Sequence, residues 1–380
     1  MKKNNLNKHK FFYCYTLIAM ILFLSIISCG SVSLNSNIPV DVYVGGNSFI
    51  SSTNVPVAVY WKNGEMVILS KEYSGVKSIA VKGNDVYAGG HIIKFDPSIP
   101  SEYEVADITV AGYWKNGKWI GLSVLDSKKG SSVDTMFING DDVYACGYST
   151  NRSNNKVAGY WKNGKWVGLS ANFKYDHKIY SILITDNDIY ACGYIKRDGI
   201  LIPVYWKNGE YVELPVLSDK KSGVAESIFV SNSDIYILGS SKDSSGEFFI
   251  DCYWKNGEII SLLSSDPKYT LEANCIFISG KDVYICGYRS NRYYTPLASQ
   301  VACYWKNGEF IALTPIDNKN NSEATSIFVF GKDVYVGGFT GGYSDSIPGY
   351  WKNGEWVGFN VKGGFEPVSS IVVVPRETVK

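Results

Sequence analysis

From residue 40 to residue 375, apolar and polar positions alternate in short runs, and the runs stop at pairs of turn residues. Ser78–Val81 (SIAV), Asp85–Ala88 (DVYA), Gly112–Lys115 (GYWK) and Lys118–Gly121 (KWIG) show the pattern. Short alternating runs rich in Val, Ile, Tyr and Trp predict half-buried strands. The pairs between them, such as Gly83-Asn84 and Asn116-Gly117, predict tight turns.

The runs repeat. Tyr-Trp-Lys-Asn-Gly occurs at Tyr60–Gly64, Tyr113–Gly117, Tyr160–Gly164, Tyr205–Gly209, Tyr253–Gly257, Tyr304–Gly308 and Tyr350–Gly354. Asp-Val/Ile-Tyr alternates with it, beginning at Asp41, Asp85, Asp142, Asp188, Asp234, Asp282 and Asp333. A third signature, mostly Ser-Ile, precedes the second, as at Ser78-Ile79, Ser227-Ile228 and Ser370-Ile371. The tryptophans of the first motif lie 53, 47, 45, 48, 51 and 46 residues apart, a period in the range of propeller blades.

Each unit reads as four strands. Strand A carries Ser-Ile, strand B carries Asp-Val-Tyr, strand C ends in Tyr-Trp-Lys, and strand D follows Asn-Gly. The fold expected is all-β: a seven-bladed β-propeller of four-stranded antiparallel blades. The chain enters at strand B (Asp41) and ends on a seventh strand A, Ser369–Val374. The C-terminal strand should therefore close the ring and remove a free sheet edge.

Asn-Gly is a strong hairpin signal because both turn residues need positive φ. A two-residue loop at Asn163-Gly164 pairs Trp161 with Trp166 and Lys162 with Lys165. The same register gives Trp114–Trp119, Trp351–Trp356, Trp305–Phe310 and Trp206–Tyr211. It also sets Lys62 opposite Glu65, and Lys207 opposite Glu210, as opposite charges beside the turn. The pentapeptide is thus read as the C–D hairpin of every blade. Its functional rival is a ring of Trp and Lys that grips a repetitive polymer. The recurring Asp is expected to serve the A–B turn, bonding nearby backbone N–H groups.

The first residues differ in kind. Lys2, Lys3, Lys8 and Lys10 precede an apolar stretch whose uninterrupted core runs from Leu17 to Ile27, short for a spanning helix. Ile26-Ile27-Ser28-Cys29 resembles a bacterial lipobox, which implies acylation of Cys29. The divisions expected are a signal peptide over 1–28, a lipidated tether over 29–39, the propeller over 40–375 and a tail over 376–380. The resemblance implies a bacterial cell envelope address, with Gly30 after the Cys implying the outer membrane.

The order from Asp41 to Leu69 (DVYVGG … AVYWKNGEMVIL) resembles the kelch repeat, with Gly-Gly closing one strand and Trp on a later one. Paired glycines stand at Gly45-Gly46, Gly89-Gly90 and Gly337-Gly338, whereas three blades read Cys-Gly at Cys146, Cys192 and Cys286. The chain also resembles bacterial surface lipoproteins with tryptophan-lysine propeller units. Neither resemblance implies a reaction.

A formal net charge of +1, with 19% charged residues, gives no reason to expect nucleic acid. The three histidines (His9, His91, His177) share no metal-ligand spacing, and no C-x-x-C occurs, so no metal or cofactor is expected. His91 and His177 are read as surface residues. No G-x-S-x-G elbow, P-loop or sialidase-type S-x-D-x-G-x-T-W box appears. The propeller cysteines read as small packing residues. Cys275 and Cys286 alone fall opposite each other across the Gly280-Lys281 turn. A disulfide and two reduced thiols are both open there.

Binding is expected on the face that holds the B–C and D–A connections, which vary in length. The blade-two connection carries Asp96, Glu102, Glu104 and Asp107. Others carry Arg152, Arg197, Arg289 and Arg292, with Tyr293 and Tyr294 as flat contact surface. An acidic and a basic sector on one face can orient a charged partner.

The function expected is an exported, lipid-anchored, non-catalytic binding module. Its partner would be an envelope or extracellular protein or a glycan, and the chain itself a monomer. One alternative is a structural or assembly component of an envelope complex. Another is a glycan- or peptide-processing enzyme on the same face, which converging carboxylates at the channel mouth would favour.

Overall fold

The computed structural model describes residues 38–376, apart from 50–54, 96–106, 170–175, 186–187, 220–221, 263–265, 267, 292–299, 314–320, 342–345 and 361–364. The described residues form 28 strands and no helix. They make seven four-stranded antiparallel sheets, each in the order A-B-C-D. The A strands of blades one to seven are Phe365–Pro375, Ser74–Lys82, Ser131–Asn139, Asp176–Thr185, Gly223–Ser231, Tyr269–Ser279 and Ser322–Phe330. Each A strand runs beside the A strand of the next blade, and the last runs beside the first, so these strands line the axis.

The C-terminal strand closes the ring. Val372 pairs with Tyr43 and Ile371 with Val44 in strand B of blade one, Val40–Phe49. Ser370, Ile371, Val372 and Val373 are all buried. Arg376 extends the closure beyond the strand. Its Nε donates to Asp41 at 2.8 Å, and its backbone N–H donates to the Pro39 carbonyl at 2.8 Å.

All seven Asn-Gly pairs adopt positive φ at both residues, with Asn163 at 51° and Gly164 at 81°. The hairpin registers are those expected, including Trp161 opposite Trp166 and Trp206 opposite Tyr211. The tryptophans of the pentapeptide are buried in every blade, so they are core and not a grip for a polymer. Three of them pack on a second Trp across the hairpin, at ring-centroid distances of 4.4–4.6 Å. In each of these blades a glycine precedes Tyr-Trp-Lys (Gly112, Gly159, Gly349). A Cβ there would strike the indole of Trp119, Trp166 or Trp356.

The charges beside the turns pair differently from expectation. Each Lys of the pentapeptide reaches the Asp of strand B and not the Glu across the hairpin. The distances are 3.1 Å for Lys62–Asp41, 2.9 Å for Lys162–Asp142 and 2.8 Å for Lys207–Asp188. The Asn completes the arrangement. In blade three Asn163 Nδ2 donates to Asp142 Oδ1 at 2.7 Å, while Asn163 Oδ1 accepts from the Val143 N–H at 2.8 Å. The Lys162 ammonium also lies 5.2 Å from the Tyr144 ring centre. The recurring Asp is therefore one corner of a clamp that joins strands B and C, rather than a cap for its own turn. Diagonal neighbours on adjacent strands lie within reach of long side chains, which a long lysine can use.

A third repeated device sets the inner ring. Strand A of each blade slips register by one residue against strand B, as between Val76 and Ser78, Val133 and Thr135, or Ala273 and Cys275. A bulge brings the backbone of the two strands close. A Cβ on Gly90, Gly147, Gly193, Gly239, Gly287 or Gly338 would land on a strand A carbonyl oxygen. The second glycine of Gly-Gly and Cys-Gly is thus required by the bulge.

Just after the bulge, the Ser of Ser-Ile bonds to the neighbouring blade. Ser78 Oγ accepts from Met136 N–H at 3.2 Å, Ser326 Oγ from Ile371 N–H at 2.9 Å, and Ser370 Oγ from Ile79 N–H at 3.3 Å.

Candidate functional site

The bulge leaves one extra residue per blade, directly before the Ser-Ile position. In blades one to seven it is Ser369, Lys77, Asp134, Tyr180, Glu226, Asn274 and Thr325. Two residues earlier stand Gly75, Ser132, Lys178, Val224, Glu272 and Glu323 in blades two to seven. Strand A has strand B on one edge and neighbouring blades on its faces, so its remaining open side is the axis. Lys77, Asp134, Lys178, Glu226, Glu272, Asn274 and Glu323 are half-buried within otherwise buried strands. The solvent they meet is that of the axial channel.

Further along the same strands the channel is filled. Ala80, Phe137, Leu183, Phe229, Phe277, Phe328 and Val372 are buried, each two residues after the Ser-Ile serine position. The Phe229 and Phe277 rings, and the Phe277 and Phe328 rings, lie 5.2 Å apart across blade boundaries. Strand A runs from the D–A connection towards the A–B turn. The polar ring is therefore the floor of a depression on the connection face, above an apolar plug.

The ring is sorted by charge. Asp134 lies in the field of Lys178, Lys77 and Lys156. Burial pushes its carboxyl up, and the three ammonium groups pull it part of the way back. Lys178 Nζ also lies 4.1 Å from the centre of the Tyr180 ring. Blades five to seven carry Glu226, Glu272 and Glu323, with no Lys or Arg at the equivalent positions.

Burial, and next the charge of Glu272, push the Glu323 carboxyl up to about 7, against a bond from Asn274. Asn274 Nδ2 reaches Glu323 Oε1 at 3.2 Å and the Ala324 carbonyl at 2.9 Å. Tyr288 hydrogen-bonds Glu272, and burial raises its phenol strongly. Like charges held on adjacent rigid blades favour a protonated member. Among the described residues, no three His, Cys, Asp or Glu side chains stand where they could hold a metal ion.

Only some of the residues expected to bind are described. Asp96, Glu102, Glu104, Arg292, Tyr293 and Tyr294 lie outside the described residues, as does Cys29. Asp107 opens strand C of blade two, opposite Phe95. Arg152 is exposed in a turn. Arg197 is tied to Glu213 at 2.6 Å. Arg289 stacks between Tyr269 and Phe310, at 4.2 and 5.1 Å from the ring centres, and so packs the flank of blade six.

Cys275 and Cys286 pair in register as expected, and both stand as buried free thiols. The two propeller histidines are not surface residues. His177 is buried, and its Nε2 accepts from the Ala158 N–H at 3.1 Å. It takes the role that Ser74, Ser131 and Ser322 play towards Ala58, Ala111 and Ala302. His91 is pushed down to about 4 by burial and then by Lys77.

Sequence reasoning missed the bulge ring. Its signal was present as a charged residue inside an apolar A strand: Val76-Lys77-Ser78, Val133-Asp134-Thr135 and Ala225-Glu226-Ser227. Strict alternation cannot explain these, and a bulge can.

No family model matches the chain, and no curated protein matches it. Solved structures do. The β-propeller domain of the Trilobed protease from Pyrococcus furiosus is 10% identical, covers 74% of this chain and 82% of its own, and scores a TM of 0.42. A Bombyx mori β-fructofuranosidase is 10% identical over 78% of this chain and 89% of its own, at a TM-score of 0.33. A sucrose-6-phosphate hydrolase from Lactobacillus gasseri is 10% identical over 86% and 85%, at 0.34. At these scores the likeness carries nothing about substrate or reaction.

Proposed function

We propose that the chain is an exported, lipid-anchored binding module whose ligand seats in the axial depression. The observation that supports it is the bulge ring. One repeated frame carries seven different residues at the bulge position: Lys77, Asp134, Glu226 and Asn274 are half-buried, whereas Ser369, Tyr180 and Thr325 are buried. The frame explains Asn-Gly, Asp-Val-Tyr and Ser-Ile, but it makes no demand for Lys in one blade and Glu in another. The ring groups are largely held by one another, as Glu323 is by Asn274 and Glu272 by Tyr288. Held groups orient a ligand. The envelope address rests on the lipobox-like sequence before Cys29, and an envelope or extracellular partner above the connections fits the same reading.

Two measurements test this. Fractions of envelope extract should raise the melting temperature of the full-length protein. Lys77→Met with Glu226→Gln should abolish the rise, and Asn163→Ala should keep it. A rise indifferent to the ring variants would exclude the depression. Mass spectrometry of the membrane-extracted protein should show an acylated N-terminal Cys29, and an intact Met1 terminus would remove the anchor.

A second reading is favoured by Glu272 and Glu323. Burial and the neighbouring Glu272 raise the Glu323 carboxyl to about 7, and a pair of neighbouring carboxyls is what acid–base hydrolysis uses. Glycan or peptide cleavage lost in Glu323→Gln would establish it.

A further inference from the structure

We propose that the turn face of the propeller lies against the anchoring membrane and that the connection face, with its depression, opens away from it. The partner then arrives from the aqueous side. This rests on the reading that Cys29 carries the anchor.

The chain enters the propeller at the turn end. Val40 pairs with Pro375, the last residue of the closing strand, and strand B runs from there to Phe49 at the connection end. The entry is fastened. The Pro39 carbonyl accepts from the Arg376 N–H at 2.8 Å, and Asn63 of the first Asn-Gly turn donates through Nδ2 to Asp41 at 2.9 Å. Pro39 therefore stands at the level of the turns, and the tether leaves from that level.

Lengths decide which face the anchor can serve. Cys29 and Pro39 are ten residues apart, so the chain between them spans at most about 33–36 Å. A membrane against the turn face is well within that reach. A membrane against the connection face lies beyond the height of strand B, ten residues at about 3.3 Å each, or about 30 Å. The route through the axis is closed by the apolar plug, with Phe137, Phe229, Phe277 and Phe328 buried in it. The outer route must first pass strands C and D of blade one, Pro56–Lys62 and Glu65–Ile68, at about 4.8 Å per strand. The whole path, about 40 Å, is longer than the taut tether.

Side-chain chemistry alone would give the opposite answer. At the connection end Tyr73, Leu125, Phe248, Phe249 and Ile347 are exposed, Phe248 by 65%. The outer D strands expose others, but at the turn end Ile38 is the one exposed large apolar side chain among the described residues. The turns present Asn-Gly pairs and clamped lysines such as Lys62 and Lys162. An untethered propeller would offer its connection face to lipid. The tether forbids that contact and leaves both those side chains and the depression to a water-borne partner. The turn face meets lipid headgroups and has little to insert below them.

The test uses protein extracted from membranes and reconstituted into vesicles of phosphatidylethanolamine and phosphatidylglycerol with a rhodamine headgroup acceptor. The six propeller cysteines are buried, so single fluorescein labels can be placed at Lys281→Cys or Lys332→Cys in the turns, and at Lys128→Cys or Arg152→Cys in the connections. All four positions are exposed. Energy transfer to lipid should be several-fold greater from the first pair than from the second. A Gly-Ser insertion of about 20 residues after Ser36 carries the reach past the connection face and should shrink that contrast. Melting of each variant shows that it is folded.

Equal transfer from both pairs, or more from the connections, in protein that floats with the vesicles would overturn the orientation and leave the anchor standing. A contrast unchanged by the insertion would overturn the tether as its cause. Protein that does not float with the vesicles, and whose Cys29 carries no acyl group, would overturn the anchor and this inference together.

Discussion

The two ends of the propeller's inner and middle strands are built on opposite plans. At the turn end every blade carries the same clamp of Asp, Lys, Asn and Tyr, as in Asp142, Lys162, Asn163 and Tyr144. At the connection end one position carries Ser369, Lys77, Asp134, Tyr180, Glu226, Asn274 and Thr325. The same frame holds both. Sameness around the ring marks what each blade needs to fold, because each blade meets the same neighbours. Difference around the ring marks a position on which the shared frame makes no common demand.

The largest effect should come from opening the ring itself. A chain ended after Pro367 loses Val368, Ile371, Val372 and Val373, all buried. Burying such side chains contributes about 1.5–3 kcal/mol each, so denaturant melting should collapse and gel filtration should show association. A truncated chain that melts like the whole one would mean that the ring does not depend on this strand.

Two Gly→Ala changes sharpen the comparison within one blade. In Gly147→Ala the new Cβ lands on the Ser132 carbonyl, and the bulge must move. Overpacking of this kind should cost about 3 kcal/mol. In Gly164→Ala the Cβ meets nothing, and only φ of 81° is strained, at about 1–2 kcal/mol. Equal losses would show that the bulge is soft.

The two ends should also titrate in opposite senses. Burial alone would raise Asp41, but bonds from Asn63, Arg376 and Lys62 hold it at about 2, below its ordinary 3.8. A depressed carboxyl stabilises the fold above its unfolded value, and that stability is lost as pH falls from 3.8 through about 2. Asp85, Asp142, Asp188, Asp234, Asp282 and Asp333 are lowered too. Glu323 is raised, from 4.5 to about 7. It favours the fold while protonated, and that contribution is lost as pH rises from 4.5 through about 7. Melting against pH should show both limbs. Glu323→Gln should flatten the upper limb and leave the acid limb unchanged.

Much of this architecture was legible in the chain. Asn-Gly names its turn, alternation names strand faces, and the unmatched ends at Asp41 and Ser369 name the closure. The clamp was harder, because Lys62 can reach a diagonal Asp as readily as the Glu opposite. The ring was not read. A bulge breaks the period-two rule on which strand reading depends, so Lys77 and Glu226 fell between the two faces of their strands. Arg197 and Arg289, expected in irregular connections, lie instead within the B strands of blades four and six, where Glu213 and two aromatic rings hold them.

The most direct test of the polar ring over an apolar plug is thiol labelling in the native protein. The six propeller cysteines are all buried, so the background is low. Glu226→Cys and Asn274→Cys sit at the bulge, and Leu183→Cys sits in the plug. A small methanethiosulfonate reagent should modify the first two in the folded protein at rates near those of an exposed thiol. It should modify Leu183→Cys only after denaturation. Protection of Glu226→Cys and Asn274→Cys equal to that of Leu183→Cys would mean that no open depression stands on the axis, and the proposed site would fall with it.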